Sequence, residues 1–223
     1  MTHSTHPEAT SDLQPASVPG GWIRPGGAPP LFIVLSGPSG VGKDSVLNHM
    51  KGLGLPFHFV VTATSRAPRP HEVDGVDYFF YSTEEFLQMV EAGEFIEHAL
   101  VYKDYKGIPK SQVREAFATG RDVVVRVDVQ GAATIKGLYP QALLIFLSIP
   151  TEEELVRRLR RRKTESGDQF ELRIETAREE MRRIQSFDYV VQNHDGQLEQ
   201  TAATILAIIT AEHHRVEPRE VVV

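Results

Sequence analysis

The sequence predicts an α/β protein, with helices on either side of a parallel sheet and a smaller lobe of short strands inserted into it. Three observations carry that expectation. Residues 31–35, 123–127 and 143–147 are apolar, largely β-branched runs of the kind buried on both faces of a parallel sheet. Segments with apolar spacing of three to four residues alternate with them at 42–51, 109–119, 151–163, 168–185 and 197–213. A glycine-rich loop joins the first run to the first helical segment.

In chain order, residues 1–30 hold six of the 14 prolines and four of the 17 glycines with almost no aliphatic side chains, so they read as a disordered tail. They lack a charged-then-apolar leader pattern, and Glu8 and Asp12 with one arginine fit an organelle transit peptide poorly; the expected location is the cytoplasm. The first strand and helix follow. Residues 57–104 then change character: 57–62, 77–81 and 94–97 are short strand-like runs among turns, the inserted lobe. The core resumes at 105. Thr151 followed by Glu154 forms a capping-box signature for the helix over 151–163. A short second tail is expected over 214–223.

Composition narrows the function. The 223 residues carry 24 Lys+Arg against 30 Asp+Glu, a net charge of −6, which disfavours a broad nucleic-acid-binding face. With no cysteine there is no disulfide, thiolate metal site or cysteine nucleophile. No apolar run approaches the ~20 residues needed to span a bilayer, so no membrane association is expected.

The glycine loop is Gly37-Pro38-Ser39-Gly40-Val41-Gly42-Lys43-Asp44-Ser45. Strand, loop and helix in this order aim backbone N–H groups at a polyphosphate, and Lys43 brings a charge to the β/γ-phosphates. This is a P-loop, and it predicts a three-layer P-loop NTPase sandwich that binds ATP. Asp44 stands where a hydroxyl residue normally meets Mg²⁺; as a hard oxygen donor it is a candidate Mg²⁺ ligand, and equally a first-turn carboxylate favoured by the helix dipole. In the lobe, Arg66 and Arg69 lie three apart beside a proline-stiffened turn, with Tyr78 nearby. Guanidinium forks and a phenol suit a phosphate monoester, although paired arginines among acids are as readily a solvated surface.

From about Leu31 to Thr210 the chain resembles the guanylate kinases. The resemblance rests on the P-loop, Thr-Ser-Arg66-Ala-Pro-Arg69-Pro, Glu72-Val-Asp-Gly75, Gly93-Glu-Phe-Ile-Glu97, Val127-Asp128-Val-Gln-Gly131-Ala and Tyr189-Val-Val-Gln-Asn193, all in family order. It implies a core (31–56, 105–158 and 173–213), a GMP-binding lobe (57–104) and a helical lid (159–172). It further implies that Arg66, Arg69 and Tyr78 hold the GMP phosphate, that Glu97 and Thr62 read guanine, that Tyr105, Lys106 and Asp128 line the same site, and that Asn193 lies near the ATP adenine. Arg158, Arg162 and Arg173 would close with the lid and act with Lys43 on the transferring phosphoryl group. Asp128 would assist Asp44 at Mg²⁺. The implied reaction is ATP-dependent phosphorylation of GMP, and of dGMP, by a monomer or small homo-oligomer.

Three positions depart from the usual pattern. Tyr105-Lys106-Gly107-Ile108 replaces Tyr-Tyr-Gly-Ser/Thr, and Arg126 stands where an acidic residue is usual. With Gly-Lys-Asp in the P-loop, these features resemble a subgroup that includes plant-organelle enzymes. Two alternatives remain: a ribose 1,5-bisphosphate phosphokinase, which shares Gly-Lys-Asp, and a non-catalytic guanylate-kinase-like binding module.

Overall fold

The computed structural model describes residues 28–101, 103–161 and 167–222. Residues 1–27, most of the expected tail, and 162–166, within the expected lid, lie outside the described residues. The chain runs β1 (Phe32–Ser36), α1 (Lys43–Gly52), β2 (Phe57–Phe59), β3 (Ala63–Thr64), β4 (Phe79–Phe80), α2 (Thr83–Glu91), β5 (Phe95–Val101), β6 (Asp104–Pro109), α3 (Lys110–Ala118) and β7 (Asp122–Arg126). It continues through α4 (Val129–Leu138), β8 (Leu143–Ser148), α5 (Glu152–Arg161), α6 (Gly167–Arg182), a 3-10 turn (Arg183–Ser186), β9 (Tyr189–Gln192) and α7 (Leu198–His213).

The core sheet has the order β2-β7-β1-β8-β9, with every pairing parallel. The reason is legible in β1: Ile33 and Leu35 enter one buried cluster with α1 and α7, while Phe32 and Val34 enter another with α3 and α4. A strand apolar on both faces needs helices on both, and parallel strands need the crossovers that supply them. β1 therefore sits at the centre, and its C-terminal end feeds the glycine loop into the middle of the sheet edge where α/β proteins place ligands.

The second sheet has the order β4-β3-β6-β5. It moves both boundaries of the expected lobe. Residues 57–59, expected in the lobe, pair with β7 in the core sheet; β6, expected in the core, pairs with β5 and β3 in the lobe. Strand membership is decided by distant partners, and short runs such as 57–59 carry no local mark of which sheet they join. The lobe has its own small core of Ala63, Phe86 and Phe95, with Phe86 stacked on Phe95 at 4.5 Å between ring centroids. Its helix α2 opens with a complete capping box, Ser82 with Glu85. At α5 the expected box is half formed: the Thr151 hydroxyl accepts from the Glu154 N–H at 3.2 Å, but the Glu154 carboxylate turns to Arg158.

The expected C-terminal tail is corrected by its packing. Arg219, 9% exposed, donates from Nε to the Glu212 carboxylate at 2.6 Å and from Nη1 to the Ala142 carbonyl at 3.3 Å, and Val221 packs on the core. Burial would raise the pKa of Glu212, but hydrogen bonds from Arg219 and Tyr189 more than offset that and hold it low. Arg219→Ala would leave a buried carboxylate without its main cation. It is expected to cost about 3 kcal/mol of stability, read as a lower urea midpoint with an unchanged m-value.

Candidate active site

The P-loop owes its shape to glycine. Gly37, Gly40 and Gly42 have φ of 138°, 88° and 96°, and a Cβ on Gly37 would stand 2.2 Å from the Leu147 carbonyl oxygen. No other residue reconciles that φ with so close an approach to β8. Gly42 then caps α1, so that Lys43 is its first residue. The Lys43 ammonium donates to the Gly37 and Pro38 carbonyls, the latter at 3.1 Å. Desolvation pulls its pKa down to about 8 against the opposing pull of Glu180 and Asp44. Glu180, on α6, accepts a hydrogen bond from the Ser39 N–H at 3.2 Å, so a carboxylate holds one of the loop donors.

Two expected substrate contacts instead support this loop. Asn193 is 5% exposed; its amide donates to the Val41 carbonyl at 2.7 Å, and its oxygen accepts from Thr201 at 3.1 Å. Arg158 donates to the Val41 carbonyl at 3.1 Å and the Asn193 carbonyl at 2.8 Å and pairs with Glu154. Neither lines the cleft described below. Asn193 and Arg158 together brace the back of the loop. Buried backbone carbonyls of a tight loop need donors, and these side chains supply them. Arg173 on α6 also lies outside the cleft lining, and Arg162 is outside the described residues.

In front of the loop lies a cleft of about 460 Å³. Ser39, Gly40, Gly42, Lys43 and Asp44 line it from the core; Thr62, Tyr78, Glu97 and Lys106 line it from the lobe. Arg126, Asp128, Glu180 and Arg183 close its floor and side. Ser45 is exposed on α1 and outside this lining.

Within the lobe, Glu97 is 8% exposed, and desolvation, with the nearby Asp128 charge, pushes its pKa up to about 7. A Cβ on Gly131 would come within 2.8 Å of its carboxyl carbon, which explains the glycine in Asp128-Val-Gln-Gly131: the first turn of α4 must clear Glu97. Asp128 itself caps α4, its carboxylate accepting from the Gly131 N–H at 2.8 Å. Thr62, 8% exposed, lines the cleft beside Tyr78. Burial raises the pKa of Tyr78, against the pull of Arg126. Burial lowers that of Lys106, and Arg126 lowers it further, although the residue as a whole is solvent-exposed.

The arginine pair separates. Arg66 forks onto Glu72 at 2.6 and 2.7 Å and lies 4.9 Å from the Tyr78 ring centroid; the hydrogen bond to Arg66 holds Glu72 down to about 2 despite desolvation. Arg69 is exposed and lines no part of the cleft; its backbone N–H donates to Glu72. Tyr105 is also corrected: its ring stacks on Phe86 at 5.5 Å in the lobe core and does not line the cleft. Alternation along β6 explains this, since Lys106 faces the cleft and its neighbour must face away. The bracing roles of Asn193 and Arg158 had no local signal, because their partner carbonyl is 152 and 117 residues distant.

Comparison with known proteins agrees with this geometry. The family model described as guanylate kinase matches residues 30–212. The chain is 52% identical over 193 residues to guanylate kinase 2, chloroplastic/mitochondrial, of Oryza sativa subsp. japonica, covering 86% of this chain and 68% of that one. It is 41% identical over 183 residues to a guanylate kinase of Halalkalibacterium halodurans, covering 82% and 89% respectively. The crystal structure of guanylate kinase from Anaplasma phagocytophilum superposes with a TM-score of 0.70 at 30% identity, covering 85% of this chain and 89% of that one. A glycine loop at the centre of a parallel sheet, facing a small lobe with a buried glutamate across one cleft, thus has a family to go with it, and the chain belongs to the guanylate kinases.

Proposed function

We infer that the protein catalyses ATP + GMP ⇌ ADP + GDP, and the same reaction with dGMP, by direct in-line transfer across the cleft. The observation that carries this reading is the shared cleft: Lys43 and the loop N–H groups meet Tyr78, Lys106 and Glu97 in one space of about 460 Å³. ATP phosphates take the loop, displacing Glu180 from Ser39, and the GMP phosphate takes the lobe, where Arg66 and Tyr78 are adjacent. The Glu97 carboxylate accepts from the ring N–H and exocyclic amine of guanine; adenine offers an unprotonated ring nitrogen and no 2-amino group, leaving a buried acceptor unpaired. A phosphate monoester, with its second pKa near ~6, is already largely a dianion at neutral pH, so alignment and cations replace a general base.

The donor set suits a Mg²⁺ ion carried chiefly by substrate phosphates and water. Asp44 and Asp128 both line the cleft, and among the described residues no three acidic or histidine groups are placed to hold a metal ion by themselves. These two carboxylates are the residues that would hold it, and the ion supplies charge neutralisation on the phosphates.

Among the described residues no helix is long and apolar enough to cross a membrane. A cytoplasmic location belongs to the same proposal and rests on the composition of residues 1–30; import of the full chain into isolated organelles would overturn it. A coupled ADP-release assay tests the reaction itself. Turnover with GMP and dGMP, with far less from AMP and none from ribose 1,5-bisphosphate, is the expected result. Phosphorylation of the sugar bisphosphate alone, or absence of any turnover, would overturn the reading.

A further inference from the structure

Arg126 ends β7 at the seam between the two halves of the cleft. Its Nη1 pairs with Asp44 on α1, 82 residues earlier, and its guanidinium carbon lies 4.9 Å from the Tyr78 ring centroid. Arg66 approaches the same ring at the same distance, so two guanidinium groups flank one phenol. Arg126 also lines a second, smaller cavity of about 170 Å³, sharing with the main cleft Asp44, Thr62 and Tyr78.

Stability does not account for such a residue. The Arg126 side chain is 15% exposed but its partner Asp44 is 52% exposed, and an ion pair open to water on one side contributes little to folding. Its charge meanwhile acts unfavourably on Lys43, Lys51 and Lys106. Its one ion-pair partner, Asp44, is half open to water, and a guanidinium can rotate about its stem while its face stays on an aromatic ring. On the Tyr78 ring it stands with Arg66, and two guanidinium groups at one phenol offer forks to a phosphate.

We propose that Arg126 is a substrate-contacting residue of the acceptor site: its guanidinium leaves Asp44 and takes the phosphate of the acceptor nucleotide, Asp44 being the positioning residue that holds it until the phosphate binds. The inference rests on the reading of the lobe as the acceptor-nucleotide site. It also explains two departures from the family pattern together, since the carboxylate at position 44 and the cation at position 126 are one pair.

The test is equilibrium binding to the full chain in metal-free buffer, with GMP titrated calorimetrically and guanosine by saturation-transfer NMR. Guanosine keeps the base and sugar and lacks the phosphate. Arg126→Met is expected to weaken GMP about 30-fold, the loss of a charge-assisted fork, with guanosine affinity within about twofold of the parent. Arg126→Lys, which keeps charge but not the fork, falls between. Asp44→Asn is expected to tighten GMP about threefold, because no carboxylate then competes for the fork, and that gain disappears in the Arg126→Met background.

Equal loss of GMP and guanosine would reduce Arg126 to a structural part of the wall and overturn the proposal. So would GMP affinity within about threefold of the parent in both Arg126 variants, well short of a lost charged hydrogen bond. If Arg126→Met does not fold, Arg126→Lys carries the test alone. Failure of the parent protein to bind GMP would instead overturn the acceptor-site reading.

Discussion

Lys43→Met is expected to lower kcat/KM at least about a thousandfold while leaving the protein as stable as before, or more so at neutral pH. The catalytic loss follows from position. Lys43 starts α1 directly after the glycine loop and lines the cleft, where its charge can meet that of a transferred phosphoryl group. The stability result follows from its pKa, pulled down to about 8 by desolvation. A lysine whose folded pKa lies below its unfolded value is costly while charged. That cost is fully present below pH 8, and between pH 8 and about 10.5 the unfolded chain holds the proton that the folded one has lost. Stability of the parent relative to Lys43→Met should therefore rise with pH across that window, as measured by urea unfolding at pH 7 and pH 10. An activity loss accompanied by a large fall in stability at pH 7 would mean that Lys43 works as a structural strut through its bonds to Gly37 and Pro38.

Glu97→Gln is expected to raise the KM for GMP about a hundredfold and to remove a pH dependence that the parent shows. Burial, with the Asp128 charge, pushes Glu97 up to about 7, so near neutrality a large share of the protein carries it protonated before GMP binds. Guanine needs the ionised form, which accepts two hydrogen bonds. The kcat/KM for GMP should accordingly rise with pH through about 7 in the parent. In Glu97→Gln the rise through about 7 should be absent, leaving the dependence set by the GMP phosphate, centred near ~6, and a fall above about 8 as Lys43 loses its charge. The linkage to stability has the opposite sign. Between the ordinary carboxylate value and about 7 the folded state binds the extra proton, so stability from this group falls as pH rises through that window. A parent profile flat above pH 6.5 would show that Glu97 is ionised throughout and that its environment compensates the charge.

The legible part of this protein lies where the signal is local. The runs at 31–35, 123–127 and 143–147 became the three central strands because a β-branched stretch buried on both faces needs nothing from afar to be recognised. The P-loop was legible for the same reason: the positive φ of Gly37, Gly40 and Gly42 is a demand on residues next to one another in sequence. Glu97 and Tyr78 reached the cleft as the family resemblance implied. Tyr105 did not, since the face a strand residue presents depends on the partner strand's register.

Spacing and composition alone were enough to decide the α/β class and the anion-binding loop, because each is written in consecutive residues whose backbone preferences act over a few ångströms. Where the polar side chains around the cleft go was decided by the folded chain. Arg158 and Asn193 are drawn under the loop by the Val41 carbonyl, Arg66 is held by Glu72, Arg126 meets Asp44 from 82 residues away, and Arg219 is pulled inward by Glu212. A polar side chain goes to the partner that most needs it. That partner is specified only after distant strands have chosen their neighbours.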